Sequence, residues 1–284
     1  MQAKRSSEFL SMFDFISFGS GSSGNAYLLS YQDDDEVFAP RSTILIDAGI
    51  GSRSLQSAMS QHGFSIHAVD GLLLTHDHSD HARNAGRLCE KFNIPVYATA
   101  KTFEGVKHNP TIKTISATDL CMAIVPRESF RVGQFVVTAF SVSHDSWDCV
   151  AYKVEVGGET FVLITDCGAM TAELGEQIRC AHYLVIESNH DVGMLECGPY
   201  PTHLKERILS SSGHLSNRAC ADALGQYLSE RIRGVWLCHL SADNNKPALA
   251  LAESAEVMSQ FADAHLHVLP RKGTAIFRLH APME

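Results

Sequence analysis

Between Thr75 and His81 the chain reads Thr75-His76-Asp77-His78-Ser79-Asp80-His81, so His76, His78, Asp80 and His81 are four metal donors packed into six positions. Imidazole suits Zn²⁺ and carboxylate suits Mn²⁺, so this donor set accepts either ion. The run follows the apolar stretch Gly71–Leu74, which reads as a buried strand. In an extended segment, side chains two apart point the same way, so His76 and His78 can share one ion. Asp80 and His81 stand where a helix begins and can turn toward a second ion. Two adjacent divalent ions imply metal-assisted hydrolysis, because they can activate water and neutralise charge on a phosphoryl group. The bland alternative is a solvated loop in which Asp80 caps the helix.

A pair of ions needs more than four donors, and candidates stand where other strands end. His144 follows the strand expected at 134–141, Asp166 closes Phe161-Val162-Leu163-Ile164-Thr165, and His239 closes Gly234-Val235-Trp236-Leu237-Cys238. Each alone reads as an edge residue; together with the first motif they read as ligands. His214, in Gly213-His214-Leu215-Ser216-Asn217, is a candidate general acid, because a histidine beside the metals that is not a ligand can protonate a leaving oxygen. Asp80 is the other candidate catalytic group. Ser22, Asn25, His190, Arg207, Ser216 and Asn217 are the candidate substrate contacts. Lys205, Arg207, His203, His214 and Arg218 crowd a segment opposed only by Glu206, which suits a local phosphate-binding strip or an ordinary charged helix face. Residues Gly19 to Asn25 either offer backbone N–H groups to a phosphate or make a tight turn.

The elements that must position these groups follow from periodicity. Two apolar segments flank Gly19–Asn25 as strand, turn and strand. Strands are expected at 43–47, 71–75, 95–98, 134–141, 149–156, 160–165, 182–186, 235–238 and near 266 and 276, with Gly157-Gly158 as a hairpin signal. Helical spacing covers 52–62, 80–91, 100–106, 172–180, 202–209, 217–231 and 247–262. The stretch 112–131 carries no clear period. Strand-rich and helix-rich stretches in both halves suggest two packed sheets with helices outside, a four-layer α/β arrangement.

Composition narrows the classes. The 284 residues are 45% apolar and 19% charged, which excludes disordered and collagen-like chains. No linker-like run divides them, so a single domain over 1–284 is expected. No apolar run approaches the roughly 20 residues a membrane span needs. Lys4 and Arg5 are followed by Glu8 rather than an apolar signal core, and the eight cysteines form no Cys-x-x-Cys pair, so a cytoplasmic enzyme with reduced thiols is expected. A formal charge of −9 argues against a general polyanion-binding surface. No obligate protein partner is readable.

The ordered set His76-x-His78-x-Asp80-His81, His144, Asp166 and His239 resembles the metallo-β-lactamase superfamily. Ser20–Asn25, Leu45–Gly49, Glu187–Asp191, Gly213–Asn217 and His239–Ser241 resemble its WalJ (YycJ)-like branch of nucleases. The resemblance implies an αββα sandwich and two divalent ions, Zn²⁺ or Mn²⁺. It gives His76, His78 and His144 to one ion and Asp80, His81 and His239 to the other, with Asp166 bridging. It also implies that Asp47 orders the metal loops, where a plain strand-end cap is the rival reading. Redox di-iron relatives carry Glu where this chain has His78, and β-lactamases generally lack the bridging Asp. The 72 residues between Asp166 and His239 leave no room for the long insert of RNA-processing members. A DNA exonuclease is therefore expected; a phosphodiesterase for small cyclic or nucleotide esters, a glyoxalase-type thioester hydrolase and a metal-stabilised binding protein are the rivals.

Overall fold

The computed structural model describes residues 12–33, 40–113 and 115–279; Lys4, Arg5 and Glu8 lie outside them. In chain order the first sheet takes β1 (Met12–Gly19), β2 (Ala26–Gln32), β3 (Ser42–Ile46), β4 (Gly71–Leu73), β5 (Val96–Thr99) and β6 (Cys121–Ile124). Its helices are α1 (Ser52–Gln61), α2 (Ser79–Ala82), α3 (Ala85–Phe92) and α4 (Ala100–His108). The second sheet takes β7 (Ser129–Val132), β8 (Phe135–Ser141), β9 (Val150–Val156), β10 (Glu159–Ile164), β11 (Tyr183–Glu187), β12 (Gly234–Cys238) and β13 (His265–Val268). With it run α5 (Ala172–Cys180), α6 (Val192–Cys197), α7 (Thr202–Leu209), α8 (Asn217–Tyr227) and α9 (Pro247–Met258), and β14 (Ala275–Leu279) returns to the first sheet. The strand orders are β14-β1-β2-β3-β4-β5-β6 and β13-β12-β11-β10-β9-β8-β7.

The inner faces meet in a dry core. Phe15, Tyr27, Leu29 and Ile44 of the first sheet pack with Phe135, Tyr152, Phe161 and Val185 of the second. The outer face of the first sheet is covered through Leu55, Met59, Leu88 and Val106. Leu174, Ile178, Leu224 and Met258 cover the second. These are the expected four αββα layers. Strands β3, β10, β11 and β12 are buried along their whole length, so residues 44–46, 161–164, 183–186 and 235–238 read as apolar runs rather than alternating ones. Strands β3 to β6 are parallel, as are β10 to β13. Their carboxyl ends carry the loops of the site, where open α/β sheets generally bind ligands.

Several elements differ from expectation. The helix expected over 80–91 is two helices, because its carbonyls are taken by other loops. Asp80 O accepts from Asn25 N at 2.7 Å, His81 O from Ala48 N at 2.6 Å, and Asn84 N donates to Ala48 O at 3.0 Å. The ladder therefore cannot continue. Helices α8 and α9 stop at Tyr227 and Met258, short of 231 and 262, and α8 ends where Leu228 turns extended at ψ 149°. Helix α6 was not expected; the Asp191 carboxylate caps it, accepting from Met194 N at 2.7 Å. The stretch 112–131 crosses between sheets, forming edge strands β6 and β7.

Candidate metal centre

Two donors and the aspartate that orients a third reach the centre through strained turns at strand ends. Asp47, Asp166 and His239 have positive φ values of 62°, 52° and 55°, a left-handed backbone that non-glycine residues adopt at a cost. Each follows a buried strand, β3, β10 or β12, and the turn aims its side chain across the sheet ends. Asp47 Oδ1 accepts from Thr75 N at 2.9 Å, while its Oδ2 lies 2.7 Å from His81 Nδ1. The carboxylate thus ties two segments of the histidine loop together and leaves His81 Nε2 facing the centre, as metal-binding histidines are commonly oriented. Gly49 allows the loop to approach: a Cβ there would lie 1.6 Å from Asp80 O.

The seven expected ligands converge. His76, His78 and His144 place donor atoms within 4.8 Å of one another, and so do Asp80, His81 and His239. Asp166 lies between them, with Oδ2 3.2 Å from His81 Nε2 and Oδ1 3.8 Å from His144 Nε2. His144 Nδ1 donates to Gly213 O at 3.1 Å, which leaves its Nε2 as a lone-pair donor 3.3 Å from His78 Nδ1. The Nε2 atoms of His76 and His239 are buried without a hydrogen-bond partner among the described residues. Such orphaned nitrogens are costly unless an ion takes them. The donor set, imidazole and carboxylate, fits divalent cations.

Electrostatics point the same way. Burial and the neighbouring histidines His81, His78 and His144 hold the His76 pKa well below its ordinary value. Burial opposes the charging of His81, but Asp166, Asp47 and Asp80 raise it to about 9. Burial likewise opposes the ionisation of Asp80, yet His81 and His239 hold it below the usual carboxylate range. Buried carboxylates of this density require compensating positive charge, from imidazolium or from bound cations.

Glu187, at the end of β11, was given no role in the sequence. It is fully buried, and its Oε1 lies 2.8 Å from His214 Nδ1 and 2.9 Å from His239 Nδ1. Its Oε2 accepts from Cys167 N at 2.9 Å and Leu215 N at 3.0 Å. One pinned carboxylate therefore orients two histidines, turning His239 Nε2 toward Asp80, 3.6 Å away. A strand-end acid opposite Cys238, one residue before His239 in register, was the available signal. His214 lines a cavity of about 200 Å³ beside the centre, together with Ser22, Arg207, Tyr200, His239 and Ser241. A larger cleft of about 840 Å³, between β13 and β14, holds none of the seven residues.

Of the expected substrate contacts, Ser22 and Arg207 line the cavity, and Arg207 is bonded to Asp145. The other four are placed elsewhere. Asn25 is fully buried; its Oδ1 accepts from Gly21 N at 2.8 Å, and its Nδ2 donates to Gly21 O at 3.2 Å and lies 2.8 Å from His81 Nε2. It clamps the turn to the histidine loop, and neighbouring Ser20 does the same by accepting from His239 N at 2.9 Å. Ser216 caps α8, accepting from Ala219 N at 3.1 Å. Asn217 is buried in an amide network with Ser188 and Asn245. His190 is 1% exposed, neither ring nitrogen has a hydrogen-bond partner among the described residues, and burial pushes its pKa down to about 4. The basic strip is dispersed: Lys205 bonds Glu196 O at 2.7 Å and Arg218 pairs with Asp222 at 3.0 Å.

Residues 42–239 match the β-lactamase superfamily domain. The chain is 35% identical to exodeoxyribonuclease YycJ of Bacillus anthracis over 87% of its own length and 89% of the relative's. It is 32% identical to exodeoxyribonuclease WalJ of Streptococcus pneumoniae over 90% and 91%. Zn²⁺-bound PqqB from Methylobacterium extorquens shares the fold, with a TM-score of 0.66 at 19% identity, covering 92% of this chain and 99% of that one. No described helix is long and apolar enough to cross a membrane. With two donor groups meeting at the carboxyl ends of two facing sheets, the chain belongs to the metallo-β-lactamase-fold hydrolases, in the YycJ/WalJ branch.

Proposed function

We propose that this protein is a phosphodiester hydrolase with two divalent ions, Zn²⁺ or Mn²⁺, that removes nucleotides from DNA ends. The observation that carries the hydrolytic reading is the pair of donor groups, His76/His78/His144 and Asp80/His81/His239, with Asp166 between them. The choice of DNA is supported by the relatives' names, both exodeoxyribonucleases over most of this chain. Divalent ions held by these two donor groups would lower the pKa of a bound water and offset charge on the phosphoryl oxygens. Arg207, at the cavity wall, orients a substrate phosphate. His214 holds its Nδ1 proton against Glu187 and presents Nε2 to the cavity. Glu187 and Asp166 favour the imidazolium against the burial that opposes it. His214 then delivers the Nε2 proton to the leaving oxygen.

The test is digestion of end-labelled single- and double-stranded DNA and RNA, with Zn²⁺ and Mn²⁺ in turn and a small chromogenic diester alongside. Release of mononucleotides from DNA ends is expected. Cleavage of the small diester alone would transfer the reading to a small-ester phosphodiesterase. An absence of metal-dependent hydrolysis of any phosphodiester would refute both.

A further inference from the structure

Trp147 is one of two tryptophans and is 55% exposed, whereas Trp236 is 3% exposed. Leaving that much indole in water forgoes burial that a fold normally takes. It stands three residues beyond His144, on the loop between β8 and β9, and it is not loose. Its backbone N–H donates to Asp77 Oδ1 at 3.1 Å. Asp77 sits between His76 and His78, and its carboxyl group fills the notch over Gly105 of α4, where a Cβ would lie 2.4 Å from its Cγ. The indole stacks on the His108 ring at the end of α4, with centroids 5.2 Å apart and planes 12° apart. His108 is itself fixed by Glu104 O, 2.8 Å from its Nδ1. The same short backbone segments therefore carry three donors of the metal centre and a flat aromatic surface with one face supported.

We propose that Trp147, backed by His108, is a stacking platform for a base of the nucleic-acid substrate near the scissile bond. The inference rests on the nucleic-acid reading above. A base offers a π-face whatever its identity, so such a platform positions a strand end without sequence preference. It supplies base contact beside a centre whose cavity carries Ser22, Arg207 and His214, groups suited to phosphate.

The experiment is a titration of the metal-loaded protein with a short fluorescein-labelled single-stranded oligonucleotide bearing phosphorothioate linkages at both ends, followed by anisotropy. An unlabelled copy of the oligonucleotide is used to follow tryptophan emission. The wild type is expected to bind with saturable quenching of its emission. Trp147→Phe, which retains a ring, is expected to bind nearly as well but without quenching, because buried Trp236 is then the only indole. Trp147→Ala is expected to weaken binding about tenfold, with a melting temperature close to the wild type's confirming that it is folded. Wild-type binding without quenching, or equal affinity of the alanine variant, would overturn the platform alone. If the wild type neither binds nor cleaves DNA, the nucleic-acid reading falls and takes the platform with it.

Discussion

Replacing Glu187 by Gln changes one atom and reverses the hydrogen-bonding logic of two histidines. In the native site Oε1 accepts from both His214 Nδ1 and His239 Nδ1, at 2.8 and 2.9 Å, while Oε2 accepts from two backbone amides. The glutamine oxygen must stay with the two backbone N–H groups, since turning it away strands both in a fully buried place. The amide NH₂ then faces two imidazole N–H groups, donor against donor. Relief requires each ring to move its proton to Nε2, the atom His239 turns toward Asp80. Charge-assisted bonds contribute roughly 1.5–3 kcal/mol each, and partners that orient metal ligands are worth about 10–100-fold in metal affinity or activity. We therefore expect about a 100-fold fall in turnover. If two ions are bound as proposed, metal content should fall toward half of the wild type's, because Glu187 bonds His239 and not the His76/His78/His144 group. Single-turnover cleavage of end-labelled DNA and elemental analysis of the dialysed protein measure the two effects. A variant with two tightly held ions and native turnover would show that Glu187 orients neither histidine.

Three further outcomes are expected. His214→Ala should lower turnover by about 10²–10⁴ while elemental analysis still finds two ions per chain; loss of an ion would make His214 a ligand, a position its place among Asp166, Glu187 and His239 makes geometrically open. Gly49→Ala puts a methyl group 1.6 Å from Asp80 O, so overpacking should cost about 1–3 kcal/mol in denaturant unfolding and displace Asp80, seen as weakened metal retention. In metal-free protein, the folded-state pKa of His81 is raised to about 9 from 6.5, so its stabilisation is present below 6.5 and lost as pH rises toward 9. The lowered pKa values of Asp80 and Asp166 give stabilisation that is lost in acid. Thermal unfolding of chelated protein should therefore show a melting temperature that falls on both sides of a plateau. A profile flat from pH 6 to 9 would contradict the His81 assignment.

The seven residues that converge were legible in the chain as candidate donors because their signal is local. His76 to His81 is one contiguous run, and His144, Asp166 and His239 each stand within a few residues of a strand that apolar composition marks. The αββα layering was equally readable, since strands buried on both faces and amphipathic helices leave different periods. What the sequence alone could not settle depends on partners far along the chain. The helix at 80–91 has good local spacing, yet it breaks because Asn25 and Ala48 take its carbonyls. Asn25 has a side chain suited to substrate, yet it is spent on Gly21, which it bonds through both its Oδ1 and its Nδ2. Glu187 looks like any strand-end acid until β11 lies between β10 and β12 and sets its carboxylate against His214 and His239. Ser20 and His239 are 219 residues apart in sequence and joined by one hydrogen bond. Which residues can bind a metal is a property of side-chain chemistry and is written in the sequence. Which of them face one another, and in which tautomer, is decided by long-range hydrogen bonds that exist only once the two sheets have closed.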